Sequence, residues 1–245
     1  MARIRADQAL VARGLVESRT KAQALIMAGK VFSGEKRVEK PGAPVKDDAP
    51  LDVRGQPHPW VGRGGLKLAH AVEHFGLDPT GRVAMDVGSS TGGFTDVLLA
   101  HGAAKVYAVD VGKGQLAWRL RTDDRVVVME GYNARHLTEA EIPELVDAVV
   151  CDASFIGLAT VLERPLTFAR SGAWLAALIK PQFEVGRANV GKNGVVRDLE
   201  ARQAAVDRVL AWLADEAGWR VQGVVESPIT GAEGNVEFLV AATKP

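Results

Sequence analysis

Residues 86–96 read Asp-Val-Gly-Ser-Ser-Thr-Gly-Gly-Phe-Thr-Asp, and no other stretch constrains this chain as much. The stretch follows a short apolar run, Val83-Ala84-Met85, and precedes a helix-like segment, Phe94 to Ala100, closed by Gly102. Strand, glycine turn and helix in that order bring backbone N–H groups up to a ligand. A dinucleotide site wants glycines spaced G-x-G-x-x-G. Here they are Gly88, Gly92 and Gly93, so the second glycine of that fingerprint is missing. An acid at the head of the turn (Asp86) and the wider spacing suit a ligand with no pyrophosphate to cradle. A second apolar run, Val106 to Val109, ends in Asp110, about 20 residues past the glycines, where an acid takes ribose hydroxyls. The competing reading is a glycine turn needed only for tight packing.

Apolar runs alternate with helical periods from Val83 onward, which predicts a parallel sheet covered on both faces. Strands are expected at 83–87, 106–109, 126–129, 147–151, 174–180, 221–226 and 236–242. The clearest helix runs from Leu199 to Ala217, with Asp198 as cap, Gly218 as stop, and Val206, Leu210, Leu213 and Ala217 on one face. With the glycine turn, this pattern resembles the S-adenosylmethionine site of a Rossmann-like methyltransferase. The resemblance implies that Asp86 and the backbone of Gly88, Ser89, Ser90, Thr91, Gly92 and Gly93 face the methionine end. Asp110 then holds the ribose, and Asn133 and Ala134, after the Val126–Met129 strand, border the adenine.

The charge is unevenly spread. The whole chain is neutral, with 30 basic and 30 acidic residues. Residues 1–55 hold 11 Lys and Arg against 7 Asp and Glu, and residues 56–245 hold 19 against 23. A basic head on a mildly acidic body points to a polyanionic partner. A short helix is expected from Asp7 to Ala12, then a second from Arg19 to Ala28 with Ser18 as N-cap and Gly29 at C′. A small hairpin through Lys30-Val31-Phe32 and Arg37-Val38 follows, with Val45 and Leu51-Asp52-Val53 as further short strands. The exposed cations Arg3, Arg5, Arg19, Lys21, Lys30, Lys36 and Arg37 are the expected contacts. The order Arg5, Asp7, Leu10, Gly14, Ser18, Arg19, Ala22, Ile26, Gly29, Val31 resembles the S4 RNA-binding domain. A small α/β module with an ordinary solvated basic face is the plainer reading. The expected organisation is thus a first unit at 1–55, a proline-stiffened linker at 56–62 and an α/β unit at 63–245.

Four ionisable residues of the second unit stand where charge is expensive. Asp152 ends Ala148-Val-Val-Cys151; Lys180 ends Trp174 to Ile179; Glu237 opens or interrupts Val236 to Val240; Lys67 lies on a helix expected from Leu66 to Phe75. Isolated charges beside apolar runs cost several kcal/mol unless paired, and two lysines with two carboxylates can satisfy one another. Taken singly, Lys67 reads as an exposed helix lysine and Glu237 as a charge on a sheet edge.

These motifs, in the order Gly64-Gly65-Leu66-Lys67, Cys151-Asp152-Ala-Ser-Phe155, Lys180-Pro-Gln-Phe-Glu184 and Gly234-Asn-Val-Glu237-Phe-Leu239, resemble the FtsJ-like ribose 2′-O-methyltransferases. With an S4 domain in front, the chain is similar to the TlyA family of ribosomal RNA cytidine 2′-O-methyltransferases, also labelled haemolysin A. The fold so implied is α/β: a Rossmann-like methyltransferase domain preceded by a small S4-type α/β domain. The resemblance implies S-adenosylmethionine as cofactor, rRNA of one or both ribosomal subunits as partner, and Lys67, Asp152, Lys180 and Glu237 as catalytic residues. Asp152 also borders the cofactor. Lys180 is the expected base, oriented by Asp152, unless positioning of the hydroxyl matters more than proton abstraction. One departure is Gly62-Arg63-Gly64-Gly65, where Ser-Arg-Gly-Gly is expected. Arg63, together with Arg187 and Lys192 of the loop 185–197, joins the candidate RNA contacts, though that loop also reads as a lid or as merely solvated. Phe155 is expected on the adenine, on the target base, or in the core.

Other classes fit less well. His70-Ala-Val-Glu73-His74 has the H-x-x-E-H spacing of a zinc site, but no third ligand motif follows, so no metal is expected. One cysteine, Cys151, fits a reducing compartment. No apolar run approaches the roughly 18 residues of a membrane span, and no signal core opens the chain. A cytoplasmic monomer is the expectation. A membrane-active haemolysin, or a methyltransferase acting on a small molecule or protein, are the alternatives.

Overall fold

The computed structural model describes residues 3–13, 15–16, 18–34, 36–46, 49–53, 58–186, 190–191, 194–231 and 234–245. The first unit holds β1 (Arg3–Arg5), α1 (Ala6–Ala12), α2 (Arg19–Met27), β2 (Val31–Ser33), β3 (Lys36–Arg37), β4 (Pro44–Lys46) and β5 (Asp52–Val53). β1 pairs antiparallel with β4, and β2 with both β3 and β5. β1 was not anticipated: its one apolar residue, Ile4, gives no periodic signal, and its pairing with Val45 is long-range. Leu10, Ala22, Ile26 and Val31 are fully buried in this small core.

Within it the S4-like order acquires a physical meaning. Ser18 Oγ accepts the N–H of Lys21, capping α2. Gly29 takes φ 71°, and an added Cβ would collide with the Arg37 guanidinium. Asp7 is fully buried yet charged. Its carboxylate accepts from Arg5 Nε and Nη2 (both 3.0 Å), Arg19 Nε (2.9 Å) and Gln23 Nε2 (3.0 Å). These bonds, led by the one from Arg5, hold Asp7 well below the usual carboxylate range. Arg5 and Arg19 are thereby fixed at the surface. Gly14 lies outside the described residues.

The second unit contains α3 (Gly64–Phe75), β6 (Val83–Val87), α4 (Gly93–Ala100), β7 (Lys105–Asp110), α5 (Trp118–Arg121), β8 (Val126–Glu130), β9 (Val146–Cys151), α6 (Leu158–Leu162), β10 (Ala169–Ile179), α7 (Pro181–Glu184), α8 (Leu199–Ala211), β11 (Arg220–Glu226) and β12 (Phe238–Thr243). The sheet order is β11-β12-β10-β9-β6-β7-β8. Its centre is parallel, as β6 to β10 require, but β12 runs antiparallel to both β10 and β11. The expected parallel sheet is thus met by β6 to β10, and β12 alone departs from it by its reversed direction. The stretch between β11 and β12 is too short for a covering helix and returns the chain as a hairpin. α3, α4 and α5 bury Leu68, Phe94, Val97 and Leu120 on one face; α6 and α8 bury Leu158, Leu162, Val206 and Val209 on the other.

α8 does not run unbroken to Ala217. Asp198 caps it as expected, accepting from the N–H groups of Glu200 and Ala201, but a π turn occupies Trp212–Glu216. Leading into that turn the buried positions are Val206, Val209 and Leu213, at ordinary helical spacing, and Leu210 is only partly buried beside them. Trp60 and Val61, placed in the linker by sequence, dock on the second unit: a Cβ on Gly65 would strike the Trp60 ring, and Val61 N–H donates to Asp96 Oδ2 at 2.8 Å. Residues 54–57 lie outside the described ones. The first unit meets the second where Trp118 N–H donates to the Arg13 carbonyl at 3.1 Å.

Candidate active site

The carboxyl ends of β6, β7, β8, β9 and β10 share one edge of the sheet. The strand sequence runs outward in opposite directions from β6 and β9, and a crevice opens between them, where ligands of such sheets bind. Asp152 N–H donates to the Val87 carbonyl at 3.2 Å across this crevice. The turn after β6 is tight at every glycine. A Cβ on Gly88 would meet Ala153 Cα at 2.9 Å, one on Gly92 would meet Leu120 at 2.3 Å, and one on Gly93 would meet Gly65 N at 2.8 Å. Packing thus requires these glycines, while Gly88, Ser89, Ser90, Thr91 and Gly93 also line an open cavity of about 430 Å³.

Asp86 lies beneath the turn, wholly buried. Its Oδ2 accepts from Thr95 N–H (2.9 Å) and Thr95 Oγ1 (2.7 Å), which ties β6 to α4. Asp86 Oδ1 and the neighbouring Ser89 Oγ are buried without a hydrogen-bond partner. Burial pushes the Asp86 carboxyl up to about 7. Asp110, at the end of β7, accepts from Ser90 N–H (2.8 Å) and Gly112 N–H (2.7 Å). A second hollow of about 540 Å³ runs past Asp110, Gln115, Tyr132, Asn133 and Ala134 and shares Gly88, Ser90, Asp152 and Phe155 with the first. Asn133 Oδ1 accepts Arg135 N–H at 3.1 Å. Gln115 and Tyr132 were not singled out by sequence; neither belongs to a motif.

The four expected charges converge at the other end of the cleft. Lys67 Nζ is 2.8 Å from Glu237 Oε2 and 3.4 Å from Asp152 Oδ2. Lys180 Nζ is 2.7 Å from Asp152 Oδ1, 3.0 Å from the Asp152 carbonyl and 2.9 Å from Ser154 Oγ. Asp152 stands between the two lysines. Lys67 is 7% exposed, which overturns the reading of an exposed helix lysine. Glu237 is not on a sheet edge: it precedes β12, which lies between β10 and β11, and it is 2% exposed. The reversal of β12 explains its place, because Phe238 pairs with Ile179 and so the amino end of β12 lies beside Lys180. Ser154, Gln182, Phe183 and Asn235 also line this cavity and were missed, although all four stand in the quoted motifs, Ser154, Gln182 and Asn235 as polar neighbours of Asp152, Lys180 and Glu237.

Phe155 is 90% exposed at φ 67°, so the core reading is excluded. Its ring faces Phe183 with centroids 5.3 Å apart. Arg63 is exposed, its Nη2 3.4 Å from the Thr230 carbonyl. It lines a further hollow in which Val11 and Val16 of the first unit approach Lys67 and Asp152. Arg3, Arg5, Arg19, Lys21, Lys30, Lys36 and Arg37 all reach the surface. Arg187 and Lys192 lie outside the described residues. His70 and His74 face each other with ring centroids 5.7 Å apart, and among the described residues no three His, Cys, Asp or Glu come together as a metal site. Among them, too, no helix is long and apolar enough to cross a membrane.

Residues 60–244 match the family described as FtsJ-like methyltransferase, and residues 4–50 match the S4 domain. Over 239 residues the chain is 49% identical to the Mycobacterium tuberculosis protein named 16S/23S rRNA (cytidine-2′-O)-methyltransferase TlyA, covering 97% of this chain and 89% of that one. It is 38% identical over 239 residues to the Brachyspira hyodysenteriae protein named Hemolysin A, covering 96% of this chain and 98% of that one. A solved structure described as "putative hemolysin" from Streptococcus thermophilus superposes with a TM-score of 0.75 at 40% identity, covering 100% of this chain and 89% of that one.

Proposed function

The chain belongs to the FtsJ-like methyltransferase family and carries an S4 domain ahead of it, and from that premise we propose that it transfers the methyl group of S-adenosylmethionine to a ribose 2′-hydroxyl of ribosomal RNA. The observation that carries this reading is the buried cluster of Lys67, Asp152, Lys180 and Glu237 at the ligand edge of the sheet. The name of the Mycobacterium relative supports a cytidine in 16S or 23S rRNA, and such a substrate puts the work in the cytoplasm.

The residues present fit the methyl donor. Asp86 Oδ1 and Ser89 Oγ are polar atoms beneath the glycine turn with bonding capacity left over. Each Asp110 oxygen accepts one backbone N–H and keeps a lone pair for a hydroxyl. Asn133 and Ala134 border the far end of the same hollow. When bound, the donor supplies an electrophilic methyl carbon.

The chain's own work is to present the acceptor oxygen. A ribose hydroxyl entering the cavity meets Lys180, which Asp152 and Ser154 hold from three sides. Three oxygens within 3.0 Å match the three protons of an ammonium. An ammonium has no lone pair, so Lys180 takes the hydroxyl proton only after releasing one of its own, and the resting geometry favours orienting the hydroxyl over abstracting its proton. Lys67 and Glu237 balance the charge around Asp152 and keep its carboxylate turned to Lys180. The exposed cations of the first unit, with Arg5 and Arg19 fixed by Asp7, supply phosphate contacts that position without reading sequence. Replacing Lys180 by Ala tests the assignment: calorimetry should show retained donor binding, with methyl transfer lost. Near-normal transfer would remove Lys180 from the mechanism.

A further inference from the structure

The side chain of Asn235 is 3% exposed and is spent on the backbone of a segment some 40 residues earlier in the chain. Its Oδ1 accepts Val196 N–H at 3.1 Å, and its Nδ2 donates to the Gly194 carbonyl at 3.0 Å. Its own carbonyl accepts Gly231 N–H at 2.9 Å. Gly231 in turn lies so close to the site that an added Cβ would sit 2.0 Å from Glu237 Oε1. One residue, Val236, separates Asn235 from Glu237, whose other oxygen binds Lys67. On the far side Val196 is buried, its carbonyl accepts Arg202 Nε at 2.8 Å, and Arg202 belongs to α8. An unbroken path of hydrogen bonds therefore joins α8, the 194–196 segment and the loop before β12, which carries the cluster's Glu237. Gly194, Gly231, Asn235 and Glu237 all line the same cavity.

We propose that Asn235 is a positioning residue for methyl transfer: its amide clamps the 194–196 segment onto the loop that carries Glu237, and so sets the Glu237 carboxylate on Lys67 and the shape of the acceptor side of the cavity. An asparagine suits the task because it offers one acceptor and one donor to two backbone groups. Aspartate keeps the acceptor for Val196 but turns a second oxygen toward the Gly194 carbonyl. The proposal rests on the cluster being the reaction centre, and it concerns the acceptor, not the donor.

The experiment compares the wild type, Asn235→Ala, Asn235→Asp and Lys180→Ala. Ribosomal subunits from cells lacking the protein serve as substrate, and donor binding is followed by calorimetry. Asn235→Ala should hold donor affinity within about twofold while kcat falls about tenfold to a hundredfold, as a misplacement near 1 Å produces. Hydrogen exchange should show the Val196 amide opened in Asn235→Ala but still protected in Asn235→Asp, with kcat reduced in both. A folded Asn235→Ala with wild-type kcat overturns the proposal. So does a loss of donor affinity in step with kcat, or failure of both Asn235 variants to fold, since each makes the residue a general structural support. If only Asn235→Ala fails to fold, Asn235→Asp decides by the same kcat. Should Lys180→Ala turn over normally, the reading of the cluster falls instead, whatever the Asn235 variants do.

Discussion

Lys67 Nζ and Glu237 Oε2 lie 2.8 Å apart although 170 positions separate them in the chain. α3 delivers the lysine and the amino end of β12 delivers the carboxylate, from opposite ends of the second unit. With Asp152 and Lys180 they make a group of two positive and two negative charges, three of the four nearly inaccessible. Such a group is tolerated only when complete, because each remaining charge is then paired. Removing Glu237 alone should therefore be costly. Glu237→Gln should lower unfolding stability by about 3 kcal/mol, whereas Lys67→Met with Glu237→Leu should cost less than the two single changes together. Urea titrations of the wild type, the single variants and the double variant measure both quantities.

Asp86 makes stability depend on pH in an unusual direction. Burial raises its folded-state pKa from 3.8 to about 7. The folded protein then holds the proton over a range where the unfolded chain has released it. The contribution of Asp86 is fully present below about pH 4 and is lost as pH rises toward 7. Asparagine at this position does not titrate and keeps an acceptor for Thr95. Without ligand, Asp86→Asn should gain on the wild type as pH rises, by up to about 4 kcal/mol near pH 8. Thermal melts at pH 5 and pH 8 give the sign.

Phe155 carries backbone strain on an exposed ring. A non-glycine residue at φ 67° costs on the order of 1 kcal/mol, and its side chain returns little burial. Phe155→Gly should melt no lower than the wild type, and up to about 1 kcal/mol more stably, while methyl transfer declines. If the ring serves the acceptor, KM for the ribosomal subunit rises; if it serves the adenine, donor affinity falls.

The first unit should act through phosphates. Arg19→Ala removes a guanidinium that Asp7 holds at the surface. Affinity for ribosomal subunits should drop, and the slope of log affinity against log salt should shrink by about 0.7–0.9 for each phosphate that Arg19 had neutralised. Donor binding in the second unit should be unaffected. A binding series over several salt concentrations tests this.

The parts of the fold that rest on local signals were legible in the sequence. Val83–Val87 and Val146–Cys151 lack polar alternation because both sheet faces are covered, and Ser18, Asp198 and Gly29 mark helix ends in one residue each. The cluster was legible only as four charges beside apolar runs, since neither Lys67 nor Glu237 reveals its partner locally. The reversal of β12 left no mark, because an apolar run reads alike in both directions. The π turn at Trp212–Glu216 was hidden for a similar reason: one inserted residue shifts a helical face without changing its composition. Asn235 stood in the Gly234–Leu239 motif, but its role was hidden because its partners are backbone atoms near residue 195.

The central claim is that this protein moves a methyl group to a sugar oxygen of rRNA at the Lys67–Asp152–Lys180–Glu237 cluster. The most direct test incubates the pure protein with unmodified ribosomal subunits and S-adenosylmethionine labelled in the methyl group, digests the rRNA to nucleosides and locates the label. The account predicts label on a ribose 2′-oxygen with the wild type and none with Lys180→Ala, although that variant still binds the donor. Label on a base, no label with the wild type, or equal labelling by Lys180→Ala would contradict it.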